Sequence, residues 1–209
     1  MITPRDMLWG YANGIFPMAA AADDPVLHWF DPAERGVLPI GGVHTSRQMR
    51  RHLRQSGWRA TLNGDFAAVV RGCADRDDTW INAPLFALYQ DLHDLGHAHS
   101  LEIRAGNQIV GGIFGLTIGG AFFGESMFSA QRNGSKAALI WLSAHLDGCG
   151  FTLFDTQYPT PHLASMGGQT IPRAAYRQRL ARAIRQDADI RSRPLPEAQP
   201  LWQPSTQTS

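Results

Sequence analysis

Cysteine is scarce in this chain: only Cys73 and Cys149 occur in 209 residues, far apart and outside any C-x-x-C or companion metal spacing. That excludes a disulfide-stapled scaffold and points to buried thiols. Long apolar runs are missing as well, none approaching the roughly 20 residues that span a bilayer. The opening Met1-Ile2-Thr3-Pro4-Arg5-Asp6 lacks the basic stretch and apolar core of a secretory leader. A soluble, cytoplasmic protein with no membrane partner is therefore expected. An excess of one charge is also absent: 19 Lys and Arg stand against 18 Asp and Glu, so a polyanion would have to be met by a local basic patch. With 44% hydrophobic and 18% charged residues, disordered and fibrous classes are excluded and a globular chain remains.

Proline and glycine divide residues 1–45 into pieces that read as turns and short strands. A helix signal follows, with Thr45 or Ser46 as cap, Met49 and Leu53 four apart on one face, and Gly57 as stop. Arg47, Arg50, Arg51 and Arg54 gather along another side of it, and no acidic residue stands between Arg35 and Asp65 to neutralise them. Such a face is either simply solvated or relieved by a phosphate backbone.

Leu85, Leu88, Tyr89 and Leu92 have helical spacing up to Gly96, and three strand-like segments come next, Ser100–Arg104, Gln108–Ile118 and Ala121–Ser129. Gly119-Gly120 supplies a tight hairpin, so an antiparallel meander is expected. Asn133 or Ser135 caps a helix ending near Gly148, a short strand Phe151–Phe154 delivers Asp155-Thr156-Gln157, and His162–Met166 makes a turn or two of helix. Pro172 starts a last helix to about Ile184, and the residues beyond Arg193 are expected to be a mobile tail.

Three strands, a helix, a strand and a helix resemble the acyl-transferring fold of the N-acetyltransferase superfamily. Its pyrophosphate loop, Q/R-x-x-G-x-G/A, has a counterpart in Gln131-Arg132-Asn133-Gly134-Ser135-Lys136, but Lys136 replaces the final small residue. The fold is expected without the coenzyme. Glu125 lies inside the apolar segment Phe122–Phe128 and must have a partner, either a structural group or a substrate amine. Asp155 and Gln157, two apart on an extended segment, would share one side and suit either an amine nucleophile or the cap of the turn before Pro159. His93, His97 and His99 give H-x3-H-x-H, but Gly96 interrupts the helix that would align them, so no metal is expected.

Taken together the segments resemble the leucyl/phenylalanyl-tRNA–protein transferase family. The match is carried by Tyr11-Ala12-Asn13-Gly14-Ile15-Phe16-Pro17, Trp29-Phe30-Asp31-Pro32, Ser46-Arg47, Thr79-Trp80-Ile81 and Leu95-Gly96-His97-Ala98-His99-Ser100-Leu101-Glu102. It continues through Val110-Gly111-Gly112, Phe123-Gly124-Glu125-Ser126-Met127-Phe128-Ser129, Asn133-Gly134-Ser135-Lys136, Asp155-Thr156-Gln157 and His162-Leu163-Ala164-Ser165-Met166-Gly167. The resemblance implies an α+β chain: a small N-terminal domain with the basic helix over residues 1–60 and an acetyltransferase-like domain with a mixed, largely antiparallel sheet over 61–193, followed by the tail 194–209.

It further implies an aminoacyltransferase that moves Leu or Phe, with Met as a further candidate, from aminoacyl-tRNA to the N-terminal Arg or Lys of acceptor proteins, marking them for degradation, with no cofactor. Asp155 and Gln157 would be the catalytic pair and Glu125 a cleft carboxylate near the reacting amine. Ile113, Phe122, Leu139, Leu142 and Phe154 would wall the aminoacyl side-chain pocket. Trp80 would pack near the terminal adenosine, and Arg47, Arg50, Arg51 and Arg54 would bind tRNA. Met18, where some members carry Trp, and Gly134, where Ala is commoner, depart from the family pattern. Two other readings remain open: a coenzyme-A-dependent N-acetyltransferase, which would bind acetyl-CoA, and a non-catalytic tRNA-binding protein, whose affinity would ignore Asp155.

Overall fold

Thr3 accepts from the backbone N–H of Asp6 while the Asp6 carboxylate accepts from Thr3, a reciprocal cap that starts α1 (Pro4–Ala12) with Pro4 in its first turn. The computed structural model describes residues 2–20, 24 and 26–197. Of the expected tail, residues 198–209 lie outside the described residues. The helix corrects the expectation of turns and short strands at the start of the chain.

After α1 come β1 (Phe16–Ala19) and β2 (Leu27–Phe30), which pair with each other alone, then β3 (Glu34–Leu38) and the arginine-bearing α2 (Arg47–Ser56). There follow β4 (Arg59–Leu62), α3 (Phe66–Ala74), α4 (Ala83–Asp94), β5 (Ala98–Ala105), β6 (Gln108–Ile118), β7 (Ala121–Ser129) and α5 (Gly134–Gly148). The chain then runs through β8 (Leu153–Gln157), α6 (Pro161–Ser165), β9 (Gln169–Pro172) and α7 (Arg173–Ala183). α2 begins and ends as its sequence signals require, with Ser46 accepting from Met49 N–H and Gly57 in the left-handed region at φ 64°. β4 and β9 carry no clear sequence signal, whereas α3, absent from the expected elements, has the Asp65 cap and Phe66, Val69, Val70 and Cys73 at helical spacing.

The seven-stranded sheet runs in the order β4-β5-β6-β7-β8-β3-β9. β5, β6 and β7 form the expected antiparallel meander, and after the α5 crossover β8 lies parallel to β7. The fold is thus the mixed, largely antiparallel α+β arrangement that the acetyltransferase-like pattern implied. β3, from the N-terminal part of the chain, pairs antiparallel with both β8 and β9.

Alternation along β7 divides the core in two. Phe123 belongs to the cluster filled by α1, α3, α4 and α7, and Phe122 to the one filled by α2, α5 and α6. The sheet therefore lies between two helical layers, and a side chain entering at the split between β7 and β8 reaches between them.

Candidate active site

β7 and β8 pair only over Ala121↔Leu153, Phe122↔Phe154 and Phe123↔Asp155, and then separate. Each strand has an irregularity at that point. On β7 the register passes from Gly115↔Gly124 to Phe114↔Ser126, leaving Glu125 as the extra residue of a β-bulge. On β8 it passes from Val37↔Asp155 to Gly36↔Gln157, which makes Thr156 the extra residue. A bulge bends its strand and re-aims a side chain. Two of them, one on each diverging strand, open a cavity of about 300 Å³ between the strand ends.

Glycines permit this geometry. A Cβ on Gly36 would lie 2.8 Å from the Thr156 hydroxyl, and one on Gly124 would lie 2.9 Å from the Phe154 ring. The cavity wall is apolar at Ile113, Met127, Leu139, Phe154 and Leu163, with Glu125, Gln157, Arg76, Ser126, Thr156 and Thr160 as polar residues and Trp80 and Met18 also on the wall. Of the five expected pocket residues, Ile113, Leu139 and Phe154 line it. Phe122 and Leu142 do not; both are buried at 1% exposure, and the Phe122 ring packs edge-on against Phe154 at 5.1 Å.

Glu125 receives two phenol hydrogen bonds, from Tyr11 Oη of α1 to Oε1 at 2.6 Å and from Tyr89 Oη of α4 to Oε2 at 2.6 Å. Its required partners are therefore hydroxyls. Burial pushes its pKa up to about 7, against the downward pull of the two tyrosines and with a further upward push from the Asp155 charge. Burial also raises both phenols well above their usual range, so they remain donors.

Asp155 is wholly enclosed. It accepts from Arg35 Nε at 2.8 Å and Nη2 at 2.6 Å, from Tyr176 Oη at 2.8 Å and from the backbone N–H of Gln157 at 2.9 Å. Arg35 is in turn sandwiched between the Phe16 and Tyr176 rings, at 4.6 and 4.4 Å from their centroids, and its Nη1 donates to Gly14 O at 3.1 Å. Burial opposes the Arg35 charge, but the Asp155 hydrogen bonds outweigh it and raise its pKa.

Asp155 and Gln157 do not share a side as an undistorted strand would require. Gln157 has φ 56°, in the left-handed region, and its side chain lines the cavity together with that of its neighbour Thr156, whereas Asp155 does not. Gln157 Nε2 is buried without a hydrogen-bond partner among the described residues. An unsatisfied buried donor at a cavity wall is a group awaiting an acceptor.

Trp80 lies on the wall and meets Tyr89 edge-on at 6.4 Å. The four arginines are apart from the cavity on α2. Arg47, Arg51 and Arg54 are exposed, Arg50 donates from Nε to Thr45 O at 2.9 Å, and none of the four forms an ion pair among the described residues. His93 stacks on Phe66 and hydrogen-bonds Ala98 O, while His99 hydrogen-bonds Asn63 and Gly96 O.

Sequence reasoning missed Arg35, Tyr11, Tyr89 and Tyr176, which hold the polar groups of the site. A lone arginine next to Gly36-Val37-Leu38 with no acidic neighbour on its inner side was a signal for Arg35. The tyrosines gave none apart from the family motif that contains Tyr11.

A family model described as leucyl/phenylalanyl-tRNA protein transferase matches residues 37–181, and the model for the N-terminal domain of that protein matches residues 1–33. The leucyl/phenylalanyl-tRNA–protein transferase of Paracoccus denitrificans is 65% identical over 100% of this chain and 98% of its own length. That of Dinoroseobacter shibae is 56% identical over 93% of this chain and 87% of its own. Among solved structures, one of L-PGS from Bacillus licheniformis aligns over 77% of this chain and 55% of that chain at 14% identity with a TM-score of 0.42, a likeness too loose to inform the site. No helix among the described residues is long and apolar enough to cross a membrane.

Proposed function

The chain belongs to the leucyl/phenylalanyl-tRNA–protein transferase family, and from that premise we propose that the cavity between β7 and β8 is where an aminoacyl ester of tRNA meets the N-terminal amine of an acceptor protein. It is an aminoacyltransferase. The observation that carries the site is the pair of facing bulges, which bring Glu125 and Gln157 to one apolar-walled cavity.

The donor is already an activated ester, so no acyl-enzyme is needed. The amine nitrogen attacks the carbonyl carbon, the bond to the ribose oxygen breaks, and the proton lost by nitrogen is made good on that oxygen. The protein has to hold a neutral amine at the carbonyl in a dry pocket. The Gln157 amide oxygen is suited to accept an N–H of that amine so that its lone pair stays free for attack, Glu125 to attract it, and the apolar wall to receive the aminoacyl side chain.

Asp155 acts through Gln157. Its four lone-pair directions are taken by Arg35, Tyr176 and the Gln157 N–H, so its charge fixes the left-handed turn that presents the Gln157 amide. It is a positioning residue rather than the proton acceptor.

A Cβ branch on the incoming side chain clashes with packed walls where an unbranched chain slides past them. Leu and Phe, with Met as a third donor, are the side chains this cavity accepts, and N-terminal Arg or Lys of proteins destined for degradation are the acceptors. The arginine face of α2 carries the tRNA backbone, with Trp80 against the terminal adenosine.

Radiolabelled Leu-tRNA and Val-tRNA, each offered with a peptide bearing N-terminal Arg, test the reading. Leucine should appear on the peptide and valine should not, and the Gln157→Ala variant should lose most of the transfer while keeping the wild-type melting temperature. Leucine transfer by Gln157→Ala at the wild-type rate removes Gln157 from the site.

A further inference from the structure

A second recess, of about 340 Å³, lies where the first turn of α5 faces the first turn of α2. It is lined by Ser46, Ser129, Arg132, Ser135, Lys136 and His162, among others, and no carboxylate is in its wall. Lys136 is the single lysine of a chain that otherwise uses arginine for its fixed cations. Neither Arg132 nor Lys136 has an ion-pair partner among the described residues. Lys136 is half-buried, so its charge is partly desolvated without a carboxylate to offset it. His162 Nε2 is buried with no hydrogen-bond partner among the described residues. Ser129 Oγ is held by the Ser135 N–H at 2.8 Å and lies 3.0 Å from Ser135 Oγ, which fixes two hydroxyls at the rim.

Two unpaired cations, an unsatisfied imidazole nitrogen and a set of hydroxyls with no anion of their own describe a site for a tetrahedral oxyanion. The partial positive charge at the starts of the two helices adds to them.

The position of the recess narrows the choice. α6 gives Leu163 to the transfer cavity and His162 to the recess, and β7 gives Met127 to the cavity and Ser129 to the recess. The two hollows thus share walls one or two residues apart along the same elements. An anion in the recess can be covalently linked to a group in the cavity by a short chain.

We propose that this recess binds a phosphodiester of the single-stranded acceptor end of tRNA, just upstream of the nucleotide whose ester is in the cavity, through Arg132, Lys136 and His162. The proposal rests on the transfer reading of the cavity. It adds a second phosphate-binding region, separate from the exposed arginines of α2, that sets the register of the acceptor end relative to the cavity.

The test compares two donors, leucyl-tRNA and 3′-leucyl-adenosine, the second of which carries the same ester but no phosphate. In the Arg132→Ala/Lys136→Ala double variant, KM for leucyl-tRNA should rise about tenfold or more with kcat little changed. The salt dependence of tRNA binding should become shallower by roughly 0.7 in log–log slope for each phosphate left without its cation, the single-strand value. Transfer from leucyl-adenosine should stay as in the wild type.

Because the variant could fold poorly, a wild-type measurement stands beside it: amine-acylating reagent on Lys136, with tRNA expected to protect it and leucyl-adenosine not. Equal loss with both donors, no loss with either, or protection of Lys136 by coenzyme A and not by tRNA each overturn the proposal. Failure of the wild-type protein to transfer from either donor overturns the transfer reading instead, while protection by tRNA still reports on the recess.

Discussion

Arg35 on β3 closes on Asp155 on β8 in a two-pronged ion pair, with both side chains at or below 1% exposure. β3 and β8 are hydrogen-bonded neighbours, and their register, Val37 opposite Asp155, brings the guanidinium under the carboxylate one bulge away from Gln157. A two-pronged arginine–carboxylate contact fixes direction as well as charge, so the pair acts as a rigid mount for the strand end.

Asp155→Asn leaves Arg35 as a buried charge with half its partner gone. The expected cost is about 3–5 kcal/mol of stability, visible as a lower urea midpoint at unchanged slope. The double change Arg35→Met/Asp155→Leu should recover part of that loss but not transfer, since the Gln157 N–H then has no acceptor. An Asp155→Asn protein as stable as the wild type would show that the pair is no mount.

Glu125 makes transfer depend on pH in a specific sense. Its pKa is raised to about 7, so the carboxyl is neutral below that value and gains its charge as pH rises through it. An acceptor α-amine, with an ordinary pKa of about 7.7–8.0, must also lose a proton before attack. The acid limb of kcat/KM should therefore approach a slope of two in the wild type and one in Glu125→Gln. For stability the sign is opposite: a raised folded-state pKa favours the fold below the unfolded value, 4.5, and that contribution is lost as pH rises through about 7. Glu125→Gln should flatten stability over that interval. Identical acid limbs in the two proteins would count against a role for the carboxylate.

The exposed arginines should act through salt. Replacing Arg47, Arg51 and Arg54 with Ala, leaving Arg50 on its Thr45 carbonyl, should weaken tRNA binding and make its dependence on salt shallower, since fewer counterions are then released. Transfer from 3′-leucyl-adenosine should not change. An unaltered salt slope for tRNA would mean that the face is merely solvated.

Gly134→Ala sets two effects against each other. Helix propensity favours alanine by about 1 kcal/mol, but a Cβ here would lie 2.3 Å from Val110 O and 2.9 Å from Gly111 Cα. Backbone cannot give way as a flexible side chain does, so a net destabilisation of about 1–3 kcal/mol is expected in thermal unfolding. A gain in stability would show that α5 can lift off β6 at little cost.

The sequence by itself determined the elements whose signals are local. α2 is legible from Ser46 to Gly57, α4 and the β5–β7 meander within a few residues, and α6 from its closing glycines, because caps, turns and periodicity are written within a few positions. The polar residues Glu125, Asp155 and Gln157 stand out in the sequence as candidates, and the family motifs beside them carry the acyl-transfer reading. α1 is legible in principle from Thr3, Pro4 and Asp6, but its apolar pattern is too short to outweigh the turn-forming residues around it.

What only the tertiary structure decided depends on pairings far apart in the chain. The partners of Asp155 come from Arg35 and Tyr176, and those of Glu125 from Tyr11 and Tyr89, 114 and 36 residues away. No local pattern records them, because each is a contact across strands or layers. The bulges at Glu125 and Thr156 are likewise properties of two strands in register, not of one. They are why Asp155 and Gln157, expected on one side of a strand, end with one under the sheet in an ion pair and the other in the cavity wall.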